Sequence, residues 1–159
     1  MGMLAACLSA SAAGAVEVDF IDSKEFTDFS DSDRVVVSTQ KAYISELTAF
    51  LEERLDNMIA PGHTLQVVIT DVDMAGEFEP WRRGGFDDTR VVKDLYPPRI
   101  DLSFRIVDEA GNTVREGDRK LRDLGFMYAA RPLDSDPLRH EKKLLASWIR
   151  KEFRDWETT

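Results

Sequence analysis

The densest group of side chains able to do chemistry lies just before Trp81, where four carboxylates occur within nine residues: Asp71, Asp73, Glu77 and Glu79. Paired carboxylates act as general acid and base in hydrolases, and they also ligate hard cations. If Asp71 and Asp73 share one strand, their side chains point to the same face about 7 Å apart. This spacing permits a hydrolase but does not identify one.

The same segment partly matches a calcium-binding loop, because Asp71, Asp73 and Gly76 fall at its first, third and sixth positions. Ala75 replaces one ligand, and Arg82 stands where a bidentate glutamate belongs. Since two principal ligands are missing, we predict no metal site. The favoured interpretation is that the two aspartates pair with nearby arginines or cap turns.

The sequence gives little support for nucleophilic catalysis or for a metal site built from His and Cys. The chain has two histidines, His63 after a Pro-Gly turn and His140 on what we expect to be the exposed face of a helix. Neither a Ser/His/Asp arrangement nor a metal-binding Cys/His spacing is present. The sequence therefore predicts no catalytic residue and no cofactor.

A long segment over residues 76–98 has an aromatic and basic character and is interrupted by Gly84-Gly85 and Pro97-Pro98. Loops of this length in compact domains are usually functional or mobile. Its side chains are of types common at protein interfaces and anion sites. We predict five anchors for a ligand or partner: Trp81, Arg82, Arg90, Tyr96 and Arg99. In the alternative, the aromatic rings cover the sheet edge and the arginines pair with Asp87, Asp88 and Asp94.

The elements that must position these residues follow from hydrophobic periodicity. Strict alternation predicts strands over residues 16–22, 65–71, 100–106 and 113–121. A 3.6-residue stripe predicts a helix from Ser38 that is stopped by Pro61-Gly62, and a second helix with Asp136 as its N-cap. The order βαβ-loop-ββα predicts an α+β fold, with a small mixed four-stranded sheet and two helices packed on one face.

Composition limits the possible partners. The chain has 159 residues, 43% of them hydrophobic, which fits one globular domain over residues 16–159. Its formal net charge is -9, and nearly all of the negative excess lies between Val16 and Glu79. We therefore predict no nucleic-acid partner, and no apolar stretch is long enough to predict a transmembrane span.

The N-terminal segment Met1–Ala15 is uncharged and rich in alanine, and it ends in the small-residue pattern Ala13-Gly14-Ala15. This pattern predicts a signal peptide cleaved after Ala15, truncated at its start because a basic region is missing, and hence a periplasmic protein. Alternatively, the run ending at Cys7 resembles a lipoprotein box, which would make the product a membrane-anchored lipoprotein lipidated at Cys7. Cys7 is the only cysteine, so a chain starting at Val16 forms no disulfide.

Several runs together resemble the proteobacterial domain-of-unknown-function family 3016. They are Val16–Asp22, the segment from Leu65 to Trp81 containing Thr70–Glu77, the segment Arg90–Ile100, and the segment from Ser135 to Phe153. The resemblance spans nearly the whole of residues 16–159. It implies a single exported domain, and it offers no catalytic residues to carry over.

Two hypotheses of different classes remain. The first is a non-catalytic binding or envelope-assembly module that uses loop 76–98 to hold an envelope protein or small ligand. The second is a hydrolase-like enzyme or metal-binding protein that uses the carboxylates from Asp71 to Glu79. We prefer the first, because the sequence offers side chains suited to an interface and no complete catalytic arrangement.

Overall fold

The computed structural model describes residues 14–28, 37–78, 90–129 and 135–154. Its longer elements are β1 (Ala15–Phe20), α1 (Val37–Leu55), β2 (Thr64–Asp73), β3 (Glu77–Phe78), β4 (Arg90–Val91), β5 (Arg99–Val107), β6 (Thr113–Arg122) and α2 (Arg139–Glu152). Short 3₁₀ helices cover Ser23–Glu25 and Phe126–Ala129.

Four strands form the main sheet in the order β1-β2-β5-β6. Strand β1 is parallel to β2, whereas the β2–β5 and β5–β6 pairs are antiparallel. Helix α1 packs on β1, α2 packs on β5 and β6, and the two helices contact each other. The prediction of an α+β fold with a mixed four-stranded sheet is confirmed.

The core lies between this sheet and the helices because each element has one apolar face. Buried side chains of β2 and β5 alternate with half-buried or exposed ones, as expected for strands covered on one face. In α1, Leu47, Leu51 and Leu55 recur every four residues and are fully buried. Neither described helix has the length and hydropathy that crossing a bilayer requires.

Three local expectations are corrected. Helix α1 ends at Leu55 rather than at Pro61-Gly62, because Asp56 and Asn57 are weak helix formers. Helix α2 begins at Arg139, so its N-cap is Leu138 and not Asp136. Asp136 instead accepts a hydrogen bond from the Leu138 N–H at 2.8 Å.

Contrary to the prediction from the sequence, His140 does not lie on an exposed helix face. It is buried, with 5% of its surface exposed, and its ring packs edge-on against Phe126 at 4.9 Å between ring centroids. Phe126 begins a 3₁₀ helix that the hydrophobic pattern does not predict. Burial of His140 therefore involves the 3₁₀ helix that precedes α2.

A β-bulge determines where the aspartates of β2 point. The β2–β5 register shifts between Ile69 and Asp71. Before the shift, Leu65 and Ile69 are buried, whereas after it the buried residue is Val72. The extra residue reverses which side chains face the core, so Asp71 and Asp73 are directed away from the face that carries Val72.

Candidate functional site

The candidate site is the end of the sheet where β2 and β6 finish and β5 begins. We call it the loop end, and it comprises residues 71–78, 90–99 and 123–129. The prediction that residues 76–98 form one long loop is wrong in part, because Glu77–Phe78 pairs with Arg90–Val91. The Gly76 N–H also donates to the Tyr96 carbonyl at 3.0 Å. The two described ends of this segment are therefore held together.

Arg90 joins these two ends to the N-terminal part of the chain. Its Nη1 donates to the Gly76 carbonyl at 2.7 Å, and its Nη2 donates to Oδ1 of Asp28 at 2.9 Å. Asp28 is buried and also accepts a hydrogen bond from the Met74 N–H. Charge-assisted bonds in a half-buried position are stronger than surface pairs, so this contact fixes the start of β4.

Glu141 reaches the same place from α2. Its Oε1 accepts a hydrogen bond from the Ala75 N–H at 2.8 Å, and the side chain is fully buried. Its Oε2 has no hydrogen-bond partner among the described residues. Burial raises the pKa of Glu141, and the Ala75 N–H and the charge of Arg90 oppose part of that rise.

Asp71 and Asp73 do share one strand and one face, as the hydrolase hypothesis requires. Asp71, however, accepts hydrogen bonds from the Thr27 N–H at 2.7 Å and the Thr27 hydroxyl at 2.9 Å. Asp73 accepts one from Arg99 Nε at 2.7 Å. Burial raises the pKa of Asp73, as do the charges of Asp28 and Asp71, and Arg99 partly opposes this rise.

These hydrogen bonds hold separate segments of the chain together. No group of three or more His, Cys, Asp or Glu side chains in the described ranges is arranged to hold a metal ion. A depression of about 680 Å³ lies on the open face of the sheet, and its lining contains neither Asp71 nor Asp73. In the described part of the chain, Asp71 and Asp73 therefore contact Thr27 and Arg99 and lie outside this depression.

The structure brings together only some of the predicted site residues. Arg90 and Arg99 lie at the loop end and pair with Asp28 and Asp73. Tyr96 contributes a main-chain contact, and Glu77 begins β3. Residues Glu79, Trp81, Arg82, Asp87 and Asp88 lie outside the described residues, as does Cys7.

Asp28 and Glu141 are members of this site that were not predicted from the sequence. Asp28 lies in a polar segment that gives no sign of burial. Glu141 carried a usable signal, because a charged residue within the apolar stripe of α2 is buried only when it is paired or hydrogen-bonded.

Exposed large apolar side chains are concentrated at the loop end. Two of its segments, 92–98 and 123–129, are joined by a hydrogen bond from the Asp123 N–H to the Pro98 carbonyl. Of the six exposed large hydrophobic residues in the described ranges, four lie on these segments: Leu95 (70% exposed), Leu124 (69%), Met127 (40%) and Tyr128 (96%). Grouped exposed apolar residues mark interaction sites more often than single ones do.

The family model of DUF3016, described as a protein of unknown function, matches residues 14–151. This chain belongs to the DUF3016 family. The match includes the four strands of the main sheet and all of α2 except its last residue. No curated protein matches this DUF3016 chain.

Replacing Glu141 tests whether its buried negative charge lowers the free energy of unfolding. Because its pKa is raised on folding, the native state binds the proton more tightly, and stability falls as pH rises above the ordinary pKa. Glu141→Gln keeps an oxygen for the Ala75 N–H and removes the charge. We expect the unfolding free energy of the variant relative to that of the wild type to increase from acidic to neutral pH, with no loss of stability at neutral pH.

The measurement is urea unfolding of both proteins across the acidic to neutral range. Glu141→Ala is the matched control, and it should lose about 1–3 kcal/mol because the buried Ala75 N–H is left without an acceptor. A Gln variant with the pH slope of the wild type would show that the native carboxyl carries no raised pKa.

Proposed function

We propose that this DUF3016 chain is a non-catalytic binding domain of the cell envelope that holds a partner protein at its loop end. The observation that carries the proposal is the grouping of exposed Leu95, Leu124 and Tyr128 on two hydrogen-bonded segments. Tyrosine is enriched among the residues that supply most of the binding energy at protein interfaces, and grouped exposed apolar side chains mark interaction sites. A protein partner is therefore favoured over a small ligand.

The buried contacts of Asp28, Arg90 and Glu141 support this role because they hold the described segments of the loop end in place. Phe78 and Arg90 pair in the β3–β4 ladder, and Asp28 and Gly76 accept hydrogen bonds from Arg90. A surface held rigid before binding loses less conformational entropy when the partner docks, which favours recognition.

Export to the periplasm is part of the proposal and rests on the pattern of residues 1–15. In the structure Ala15 is the first residue of β1, and its N–H donates to the His63 carbonyl at 3.0 Å. We expect mass spectrometry of the protein from an envelope fraction to find Val16 as the N-terminus. A lipidated Cys7 would instead establish the lipoprotein alternative, and an unprocessed chain in the cytoplasmic fraction would contradict export.

Binding at the loop end is tested by affinity capture from envelope extract with matched variants. We expect Leu95→Ser combined with Tyr128→Ser to lose a protein that the wild type retains. Because both side chains are exposed, this double variant should change the unfolding free energy by less than about 1 kcal/mol. Trp81→Ala should weaken capture of the same protein.

The control is Val114→Ser, since Val114 is also exposed but lies at the start of β6, at the opposite end of the sheet. It should capture the partner as the wild type does. Equal capture by all variants, or equal loss with Val114→Ser, would contradict binding at the loop end.

A further inference from the structure

A groove of about 400 Å³ runs between the end of β6 and one side of α2. We call it the β6–α2 groove. Its walls come from residues 119–123 and 143–152, and it includes none of the exposed apolar residues of the loop end. The groove adjoins the loop end at Asp123 but has a different lining.

One wall of the groove is the edge of a sheet. Strand β6 stands last in the order β1-β2-β5-β6, so among the described strands it has a neighbour on one side only. In an antiparallel pair, alternate residues direct their N–H and C=O groups away from the partner strand. These main-chain groups are available to a further strand, and α2 supplies the opposite wall.

The groove is strongly basic in an acidic protein. Its lining contains six cations, Arg119, Lys120, Arg122, Lys143, Arg150 and Lys151, against the two carboxylates Asp123 and Glu152. The formal net charge of the whole chain is -9. Positive charge is therefore concentrated at this place.

Much of that charge is available to a partner. Glu152 is neutralised within the chain, because it accepts hydrogen bonds from Arg115 at 2.7 Å and from Arg119 at 2.8 Å. Arg122, Arg150 and Lys151 make no ion pair in the described part of the chain. A carboxylate entering the groove would meet these side chains without first displacing an internal partner.

We propose that the β6–α2 groove binds an extended acidic peptide segment of a partner protein, which adds to β6 as a further strand. Addition of a peptide between an edge strand and a helix is a recurring mode of recognition, in which main-chain bonds give affinity and side-chain pockets give specificity. A slot with strand main chain on one wall fits a peptide better than it fits the surface of an anionic membrane.

The test measures binding of defined peptides to the full chain by fluorescence anisotropy at low salt. The probe is a labelled peptide of about eight residues that alternates Glu and Thr, and its control is the same pattern with Lys in place of Glu. We expect the acidic peptide to bind and the basic one not to bind. Absence of binding by the acidic peptide would overturn the proposal.

Two further probes distinguish strand addition from simple charge attraction. Both are versions of the acidic peptide. In the first, the main-chain amides of all Glu residues are N-methylated, and in the second, the main-chain amides of all Thr residues are N-methylated. Only alternate N–H groups of an added strand face β6, so one form should lose binding and the other should keep it. Equal binding by the two forms would contradict strand addition.

Variants locate the site. We expect Arg122→Glu combined with Lys151→Glu to weaken binding at least about tenfold. The control, Lys24→Glu combined with Lys41→Glu, changes the net charge equally at exposed positions outside the groove and should have little effect. Equal weakening by both pairs would refute the assignment, as would flotation with phosphatidylglycerol vesicles that the acidic peptide does not compete away.

Discussion

We expect Asp28→Ala to lower the free energy of unfolding by about 3–5 kcal/mol, the cost typical of removing one partner from a buried ion pair. Asp28 is 7% exposed and accepts hydrogen bonds from Arg90 and from the Met74 N–H. Alanine leaves a half-buried guanidinium and a buried N–H without this acceptor. The loss should appear as a lower urea midpoint with an unchanged slope.

Two further variants test whether the loss of stability comes from the buried Asp28–Arg90 pair. Asp94→Ala removes an exposed carboxylate from the same end of the sheet and should change stability by less than about 0.5 kcal/mol. Adding Arg90→Met to Asp28→Ala removes the uncompensated charge and should restore part of the loss. If Asp28→Ala were as mild as Asp94→Ala, the buried pair would not hold the loop end.

The second large effect is expected at Phe104, where substitution by alanine should cost about 3–5 kcal/mol. Phe104 is 3% exposed, and its ring centroid lies 5.9 Å from those of Trp148 and Phe153. The Arg119 guanidinium lies over its ring at 5.2 Å. The substitution thus opens a cavity where α2 docks on β5.

Phe104→Leu is the conservative comparison and should cost less than the alanine variant, because it keeps most of the apolar volume. Chemical unfolding monitored by tryptophan fluorescence measures both, since Trp148 contacts the substituted ring. Equal losses for the two variants would show that the size of the cavity does not control the cost.

The fold was largely predictable because its strands and helices carry clear periodicity. The alternation from Ile100 to Ile106 predicts β5 to within one residue at each end, and the βαβ order predicts the parallel β1–β2 pair. Turn details were less predictable, because the bulge near Thr70 depends on the β5 partner. The pairing of Glu77–Phe78 with Arg90–Val91 depends on contacts between segments far apart in sequence.

The candidate site was predictable only in part, for a physical reason. Asp71, Asp73, Arg90 and Arg99 were found because polar side chains cluster in the sequence. The Asp73–Arg99 pair agrees with the predicted pairing of an aspartate with a nearby arginine. The partner of Arg90 was not predicted, because Asp28 comes from a segment 62 residues before Arg90. The position of Glu141 in the apolar stripe of α2 indicates its burial, but its hydrogen bond with the Ala75 N–H depends on how the helix docks.

The central claim is that the loop end is the contact surface of this DUF3016 chain, and site-specific photo-crosslinking in bacterial cells tests it most directly. A photoreactive phenylalanine replaces Tyr128 in one protein and Val114 in another. Tyr128 is 96% exposed, so the replacement should leave the fold unchanged. We predict a discrete crosslinked protein from position 128 and none from position 114. No product at position 128, or the same product at both, would contradict the account.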